Sequence, residues 1–285
     1  MANVLVTGGS GFIGTHLCSL LHEIGYTVFS LDIKETSPKP WNVITADIRS
    51  FQMPSDINVV IHLAAQISVP NSIEKPEETF SINVDGTAHV LEEAEKAGVS
   101  RIIFASSAAV YGDADSVPIS ESAPLLPQSP YAESKIQGEI MLNNSKIMTC
   151  SMRFFNVYGN GQAIVGGYAA VIPAFKKAIN SNKAPRIFGD GSQIRDFVHV
   201  SDLVRIIEIS INSEVLPSEV NIASGEETSL LELLSALKTH NPAILNPVFE
   251  KERVGDIHTS VADISMMKQY FNPGSMVKLS QGLQF

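Results

Sequence analysis

Tyr131 and Lys135, in Ser129-Pro130-Tyr131-Ala132-Glu133-Ser134-Lys135, are the pair in this chain whose types and spacing suit proton chemistry. Four apart on a helix, they face the same way. An ammonium beside a phenol stabilises the phenolate, and a cationic ring nearby would add to that, drawing a pKa of about 10 toward working pH. The product is a general base for an alcohol proton. Ser107, in Ser106-Ser107-Ala108-Ala109-Val110-Tyr111-Gly112, offers a hydroxyl that could hold the same substrate oxygen. Taken singly, Tyr-x-x-x-Lys arises often by accident, so its meaning depends on what positions it.

The positioning elements begin at the first residues. Asn3-Val4-Leu5-Val6-Thr7-Gly8-Gly9-Ser10-Gly11-Phe12-Ile13-Gly14 reads as a strand, a glycine turn and a helix, with Phe12, Ile13, Leu17, Leu20, Leu21 and Ile24 at helical spacing. Gly8 permits a sharp turn, Gly11 lets backbone approach a ligand, and Gly14 lets the helix sit close to the sheet. A helix N-terminus left bare suits a pyrophosphate. A second apolar strand, Tyr26 to Leu31, ends in Asp32, about twenty residues on as a dinucleotide-binding unit requires. A carboxylate there accepts from a ribose diol and repels a 2′-phosphate. NAD is thereby favoured over NADP, with nearby Lys34 weighing against that preference.

Composition bounds the partners. A chain of 285 residues with formal net charge −10 argues against nucleic acid or an anionic membrane as main partner, so an anionic substrate would need locally placed arginines. Cys18 and Cys150 fall in a helical and a strand pattern and read as small buried hydrophobes, with no disulfide framework or metal spacing. The apolar runs are short and nothing resembles a signal peptide or a membrane span. A soluble, cytoplasmic protein is expected.

In chain order, Trp41 to Thr45 reads as a short strand ending at Asp47-Ile48, where an Asp could meet an adenine edge or simply open a turn. Val59 to Ala65 is apolar throughout, as a strand covered on both faces should be, with His62 expected as a satisfied core histidine. Glu77 to Ala97 reads as one long helix closed by Gly98, and Arg101 to Ser107 as the next buried strand. Alternation through residue 155 predicts an α/β fold with a doubly wound parallel sheet, whose ligands lie at the carboxyl ends of the strands.

With these residues in place, the chain resembles the extended short-chain dehydrogenases/reductases, within the NAD-dependent sugar epimerase/dehydratase family, over essentially its whole length. The carrying motifs are Thr7 to Gly14, His62-Leu63-Ala64-Ala65, Asn83-Val84-Asp85-Gly86-Thr87, Ser106 to Gly112, Tyr131 with Lys135, and Arg153-Phe154-Phe155-Asn156-Val157-Tyr158-Gly159. The resemblance implies a Rossmann domain carrying NAD and a smaller α/β domain for a nucleotide-sugar. It implies catalytic roles for Ser107, Tyr131 and Lys135. It implies a cofactor site of Gly8, Gly11, Phe12, Ile13, Gly14, Asp32, Asp47, Ile48, Leu63, Ala64, Ala65, Asn83 and Ser106 with Tyr131, Lys135 and Phe155, the last bordering the nicotinamide. The substrate side is expected to use Ser107, Tyr131, Asn156, Val171, Phe188, Arg195, Arg253, Asp256 and Ser260. A homodimer through helices at 77–97 and 132–145 is likewise implied by resemblance.

Past Gly159 the alternation loosens. Gly161, Gly166 and Gly167 mark a loop before a helix from about Tyr168 to Asn180, and Asp202 opens another. Arg195 and Arg253 are the scarce cations suited to a diphosphate, because a guanidinium matches phosphate oxygens with a fork of donors. His199 is expected to be structural. Residues 1–160 with about 196–225 are expected to form the NAD-binding domain, and about 161–195 with 226–285 the nucleotide-sugar domain. Relatives usually continue past Gly282-Leu283 into a last helix, so a terminal element is expected to be missing. In the dehydrating branch of this family an acidic pair follows the catalytic hydroxyl, whereas here Ala108 and Ala109 follow Ser107. The expectation is therefore C4 epimerisation of a UDP-hexose. The alternatives are uronate epimerisation, 4-keto reduction or dehydration of a nucleotide-sugar, or a non-catalytic NAD-sensing module, which a damaged Tyr-Lys pair would have signalled. By resemblance Ser260 gates the pocket near the sugar C2 substituent, where a tyrosine would exclude an acetamido group and serine leaves room.

Overall fold

Val4, Leu5, Val6, Val60, Ile61, Ile102 and Ile103 are all at most 1% exposed, as strands covered on both faces must be. A computed structural model of the chain describes residues 2–34, 37–162, 170–241, 244–252 and 257–283. In chain order the elements are β1 (Asn3–Thr7), α1 (Phe12–Glu23), β2 (Thr27–Asp32), β3 (Asn42–Thr45), β4 (Val59–His62), α2 (Val69–Glu74), α3 (Pro76–Phe80), a π-helical turn (Ser81–Asp85), α4 (Gly86–Ala97), β5 (Arg101–Ser107), a 3-10 turn (Ala108–Tyr111), α5 (Pro130–Asn143), β6 (Met148–Phe154) and β7 (Asn156–Tyr158). Then come α6 (Val171–Asn180), β8 (Arg186–Phe188), β9 (Ile194–Arg195), β10 (Phe197–His199), α7 (Val200–Asn212), β11 (Glu219–Ile222), β12 (Thr228–Ser229), α8 (Leu230–His240), β13 (Val248–Glu250), β14 (Thr259–Ser260), α9 (Ser265–Phe271) and α10 (Leu279–Gly282).

Seven strands form one parallel sheet in the order β11-β6-β5-β4-β1-β2-β3. From β1 the chain winds outward through β2 and β3, then returns to β4 and winds the other way. A crevice therefore opens at the carboxyl ends of β1 and β4, which is where a doubly wound sheet binds ligands. Alternate side chains of β1 feed opposite cores. Val4 and Val6 pack with Leu17, Cys18 and Leu21 of α1 and Leu203, Ile206 and Ile207 of α7, while Leu5 joins Val90 and Ala94 of α4 on the far face. Both cysteines are free and buried, in α1 and β6. Among the described residues no helix is long and apolar enough to cross a membrane.

Three elements differ from their sequence readings. The apolar run at 59–65 stops being a strand at His62, and Leu63 to Ala65 instead lie against the glycine turn, with Leu63 N–H on the Thr7 carbonyl. The helix expected over Glu77–Ala97 is continuous but carries a π-helical turn at Ser81–Asp85, which takes up one extra residue per turn and buries Asn83. It closes at Gly98 in the left-handed conformation, φ +70°. The helix expected to open at Asp202 begins two residues earlier, because the His199 ring accepts the Ser201 N–H and caps it. Gly166, Gly167 and Tyr168 lie outside the described residues. The second half builds its own apolar cluster from Phe175, Ile187, Leu233, Leu234 and Leu237.

His62 is a core histidine with each bond directed. Thr87 Oγ1 donates to the Asn83 carbonyl (2.6 Å), so it accepts from His62 Nε2–H (2.9 Å). Thr7 Oγ1 accepts the Ala64 N–H (3.2 Å) and donates to Nδ1 (2.7 Å). The chain of donors leaves no place for a second ring proton, and burial depresses the His62 pKa to about 3. The unfolded chain therefore binds a proton near pH 6.5 that the folded chain rejects. The sign follows: stability conferred by neutral His62 is intact above pH 6.5 and is lost as pH falls toward 3, at about 1.4 kcal/mol per pH unit. Denaturant titrations across pH 4 to 7 of His62→Gln against the native protein are expected to show a flatter acid limb in the variant.

Candidate active site

The corner after β1 is shaped by close contacts. Gly8 sits at φ +70°, and a Cβ there would lie 2.8 Å from the Ala64 nitrogen; one on Gly14 would lie 2.2 Å from the Gly8 carbonyl oxygen. Gly11 caps α1 without a side chain, so the helix start carries no side-chain cap. Asp32 holds the corner to the end of β2, accepting Ser10 N–H at 3.0 Å and Lys34 N–H at 3.1 Å. Side chains are thus excluded where α1 begins, and an acid stands one strand away. This donor set fits a dinucleotide with a free ribose diol, since the main-chain N–H groups of a helix start suit a pyrophosphate.

Of the other expected cofactor residues, Phe12 and Ile13 open α1, and Leu63 to Ala65 form the opposite wall of the corner. Asp47 is gripped by Arg49 through its main chain and guanidinium, at 2.9 and 2.6 Å, which holds its carboxyl below the usual carboxylate range. Ile48 is buried beneath Gly86, where a Cβ would come within 2.6 Å of its terminal carbon. The side chains at that strand end are spent on packing and on the Arg49 pair.

Ser107, Tyr131 and Lys135 meet at the carboxyl end of β5. Pro130 and the Ser129 hydroxyl, which accepts the Ala132 N–H at 3.2 Å, start α5 so that the Tyr131 phenol comes under the influence of the Ser107 hydroxyl. One turn on, Lys135 Nζ donates to the Ala105 carbonyl at 2.7 Å, 4.8 Å from the Phe104 ring centre and 5.9 Å from that of Tyr131. α5 approaches this closely because Gly138 faces Phe104, with 2.6 Å between a virtual Cβ and the ring.

The electrostatics depart from the sequence expectation of a phenol made acidic by its lysine. Burial pushes the Tyr131 phenol up, the Ser107 hydroxyl only partly opposing it, and burial pulls Lys135 down to about 7 against the pull of Glu139. Desolvation disfavours both charged forms, and a lysine bonded to a carbonyl one turn away does not outweigh it.

Asn83 is buried and fully used. Its amide accepts Gln66 N–H (2.7 Å) and donates to the Gln66 carbonyl (3.0 Å) and to Ser134 Oγ (2.9 Å), which in turn donates to the Tyr131 carbonyl. It ties the loop after β4 to the first turn of α5. Ser106 turns its hydroxyl away from the crevice and donates to Glu139. Both Asn83 amide N–H groups and the Ser106 hydroxyl proton are thereby taken, and what remains free on the two side chains is acceptor capacity.

Beneath the cluster lies a network that the sequence reading did not assign. Arg153 forks onto Glu139, Nε to Oε1 at 2.9 Å and Nη2 to Oε2 at 2.7 Å, both residues 3% exposed. Arg153 Nη1 donates to Tyr111 Oη and to the Glu121 carbonyl (3.0 Å each), and Tyr111 donates to Asn221 Oδ1 at 2.6 Å. The sequence carried two signals: Glu139 continues the i, i+4 series of Tyr131 and Lys135, and Arg153 interrupts an otherwise buried strand.

In the second half, Arg195 and Ser260 come side by side, because β14 pairs with β9 in register. Arg195 Nη1 donates to the carbonyls of Ile194 and His258 at 2.9 and 3.2 Å. Asn156 is joined to the Asp196 carbonyl through its main-chain N–H and its side-chain amide. Val171 begins α6, and Phe188 ends β8 opposite Glu250. Phe155 is buried against Tyr111, 6.4 Å between ring centres, with Val110 and Ile119. Arg253 and Asp256 lie outside the described residues. His199 packs on Tyr158 and bonds Ser201 at 2.7 Å, as a structural residue would.

Three comparisons bear on this geometry. A UDP-glucose 4-epimerase of Mycolicibacterium smegmatis is 34% identical over 299 residues, spanning 98% of this chain and 95% of that protein. The structure of a UDP-N-acetylglucosamine 4-epimerase from Methanobrevibacter ruminantium in complex with UDP-N-acetylmuramic acid superposes with a TM-score of 0.93 at 30% identity, covering 99% of this chain and 96% of that one. A NAD-dependent NDP-hexosamine 5,6-dehydratase of tunicamycin biosynthesis superposes with a TM-score of 0.90, also at 30% identity, covering 100% and 96%. Residues 4–223 match the NAD dependent epimerase/dehydratase family, and the chain, with its glycine corner and its Ser-Tyr-Lys cluster, belongs to that family of enzymes.

Proposed function

We propose that the protein is a UDP-hexose 4-epimerase that accepts both plain and N-acetylated sugars. The observation that carries the reading is the Ser107 hydroxyl at the end of β5 acting on the Tyr131 phenol, with Lys135 one helical turn on, and followed at 108 and 109 by alanines and not by the acids a dehydration would need. NAD, held at Gly8, Gly11, Phe12, Ile13 and Gly14 with Asp32 on the ribose, supplies the reversible hydride acceptor that oxidation and re-reduction at C4 require. Tyr131 takes the C4 hydroxyl proton and returns it after the keto sugar has turned over in its pocket. Ser107 donates to the same oxygen, and Lys135 lends positive charge to the phenol. Arg195 serves the diphosphate, Asn156, Val171 and Phe188 serve the nucleotide-sugar, and Ser260, in register with Arg195, serves the sugar C2 substituent, while the parts of Arg253 and Asp256 rest on the sequence resemblance alone. Residues 1–160 with about 196–225 act as the cofactor domain and the remainder as the substrate domain. The protein is a homodimer through the helices at 77–97 and 132–145, a reading that exposed Ile140 supports.

Incubation with UDP-galactose, UDP-N-acetylgalactosamine and a UDP-hexuronate, with products resolved by chromatography, is expected to give the C4 isomers of the first two. Conversion of the uronate alone would favour the uronate reading, and loss of water would favour dehydration. Tyr131→Phe is expected to lower kcat by about a hundredfold or more while nucleotide released on denaturation stays at the native amount. Gly14→Ala, whose new methyl meets the Gly8 carbonyl, is expected to lose that nucleotide instead. Ser260→Tyr is expected to cut kcat/KM for the N-acetylated sugar about tenfold more than for the plain one, and an unchanged ratio would remove the gate.

A further inference from the structure

Lys135 is of use to the Tyr131 phenol only while it carries a proton, yet its surroundings oppose that charge. It is 3% exposed, its one hydrogen-bond acceptor is the neutral Ala105 carbonyl, and Phe104 covers its flank. The charged and titratable groups around it can be named element by element. β4 contributes His62, which is neutral; α5 contributes Tyr131 and Glu139; β6 contributes Arg153; the 3-10 turn and the loop after it contribute Tyr111 and Glu121. Glu139 is the acid on the lysine's own helix face, one turn further in, where side chains four apart are neighbours.

Its orientation is set from three sides. Arg153 forks onto it from β6, Ser106 donates to it from β5, and the helix itself carries it. The guanidinium in turn is fastened to Tyr111 and the Glu121 carbonyl, with Tyr111 fastened to Asn221. Glu139 and Arg153 thus form a fixed dipole. Its negative end lies on the helix that carries Lys135 and its positive end on β6, held from the Tyr111 side. A fixed dipole in a medium that excludes water acts on a charge one helical turn away with less screening than it would in water.

We infer that Glu139, clamped by Arg153 and Ser106, is a positioning residue of the proton-transfer site: it keeps Lys135 cationic and thereby holds the Tyr131 phenol within reach of deprotonation. Glu139, its carboxylate bonded to Arg153 and Ser106, acts through Lys135. The direction agrees with the electrostatics, in which Glu139 is the group that opposes the loss of the Lys135 proton. The inference rests on the reading of Tyr131 as the base.

The experiment follows the Tyr131 phenol itself, by ultraviolet difference titration of the NAD-loaded protein against Tyr131→Phe, beside the pH profile of kcat for UDP-galactose. Glu139→Gln is expected to move the phenol titration and the rising limb of the profile to higher pH together, lowering kcat at pH 7 about tenfold or more, with KM nearly unchanged. Glu139→Asp is expected to recover part of the shift. Because Glu139→Gln leaves a buried guanidinium bare at a cost to folding, Glu139→Gln/Arg153→Met, which removes both charges, is measured in parallel and is expected to shift in the same direction by less. Native titration and profile in Glu139→Gln would overturn the inference. So would a native titration in the double variant, since the bare Arg153 charge would then account for the single one. Inactive native protein with a shifted titration in the variants would sink the epimerase reading and leave the role of Glu139 standing.

Discussion

Desolvation at the carboxyl end of β5 is the constraint on which the rest of the molecule depends. A phenol and an ammonium stand one helical turn apart there, the ammonium buried and the phenol partly so, and burial drives each toward its neutral form. In water such groups would be indifferent to their neighbours; here every neighbour matters. The surrounding polar groups are correspondingly committed. Lys135 has a carbonyl, Asn83 has three partners, and His62 sits in a chain of hydroxyls that allows one tautomer. Glu139 and Arg153 satisfy each other almost completely. Removing one member of a buried pair like this costs about 3–5 kcal/mol, which ties the site's electrostatics to the fold's stability.

The same economy joins the two halves of the chain. Asp196, between β9 and β10, is fully buried and accepts four hydrogen bonds: from Ser224 N–H and Oγ (2.7 Å each), from Gly225 N–H (2.9 Å) and from Ala262 N–H (3.3 Å). Arg195 precedes it in β9, and Asn156 holds its carbonyl. The segment that carries the candidate diphosphate ligand is thereby pinned to the end of β11 and to the residues after β14. A carboxylate with several donors is a stronger joint than an apolar contact of the same size, because losing any one donor leaves a buried charge less satisfied.

Much of the architecture was legible in the residues. Two-sided apolar runs require a covered parallel sheet; the glycine spacing at 8, 11 and 14 requires close backbone approach; and Tyr131 with Lys135 requires a shared helix face. Each of these is a local rule, with a period of two or 3.6 residues or a turn without Cβ, so the amino-acid order alone expresses it. The family followed from the same motifs, because their order along the chain reproduces the order of the strand ends.

What only the tertiary structure decided is which charges meet in the dark. Glu139 and Arg153 are fourteen residues apart, Tyr111 and Asn221 one hundred and ten, and nothing local pairs them. The π-helical turn that buries Asn83, the end of the β4 strand at His62 and the register that sets Ser260 beside Arg195 are likewise products of packing. The protonation balance of the Tyr-Lys pair belongs to the same class. Spacing indicates that the two can interact, but the sign of the net effect depends on how much water burial removes, and burial is a property of the assembled fold.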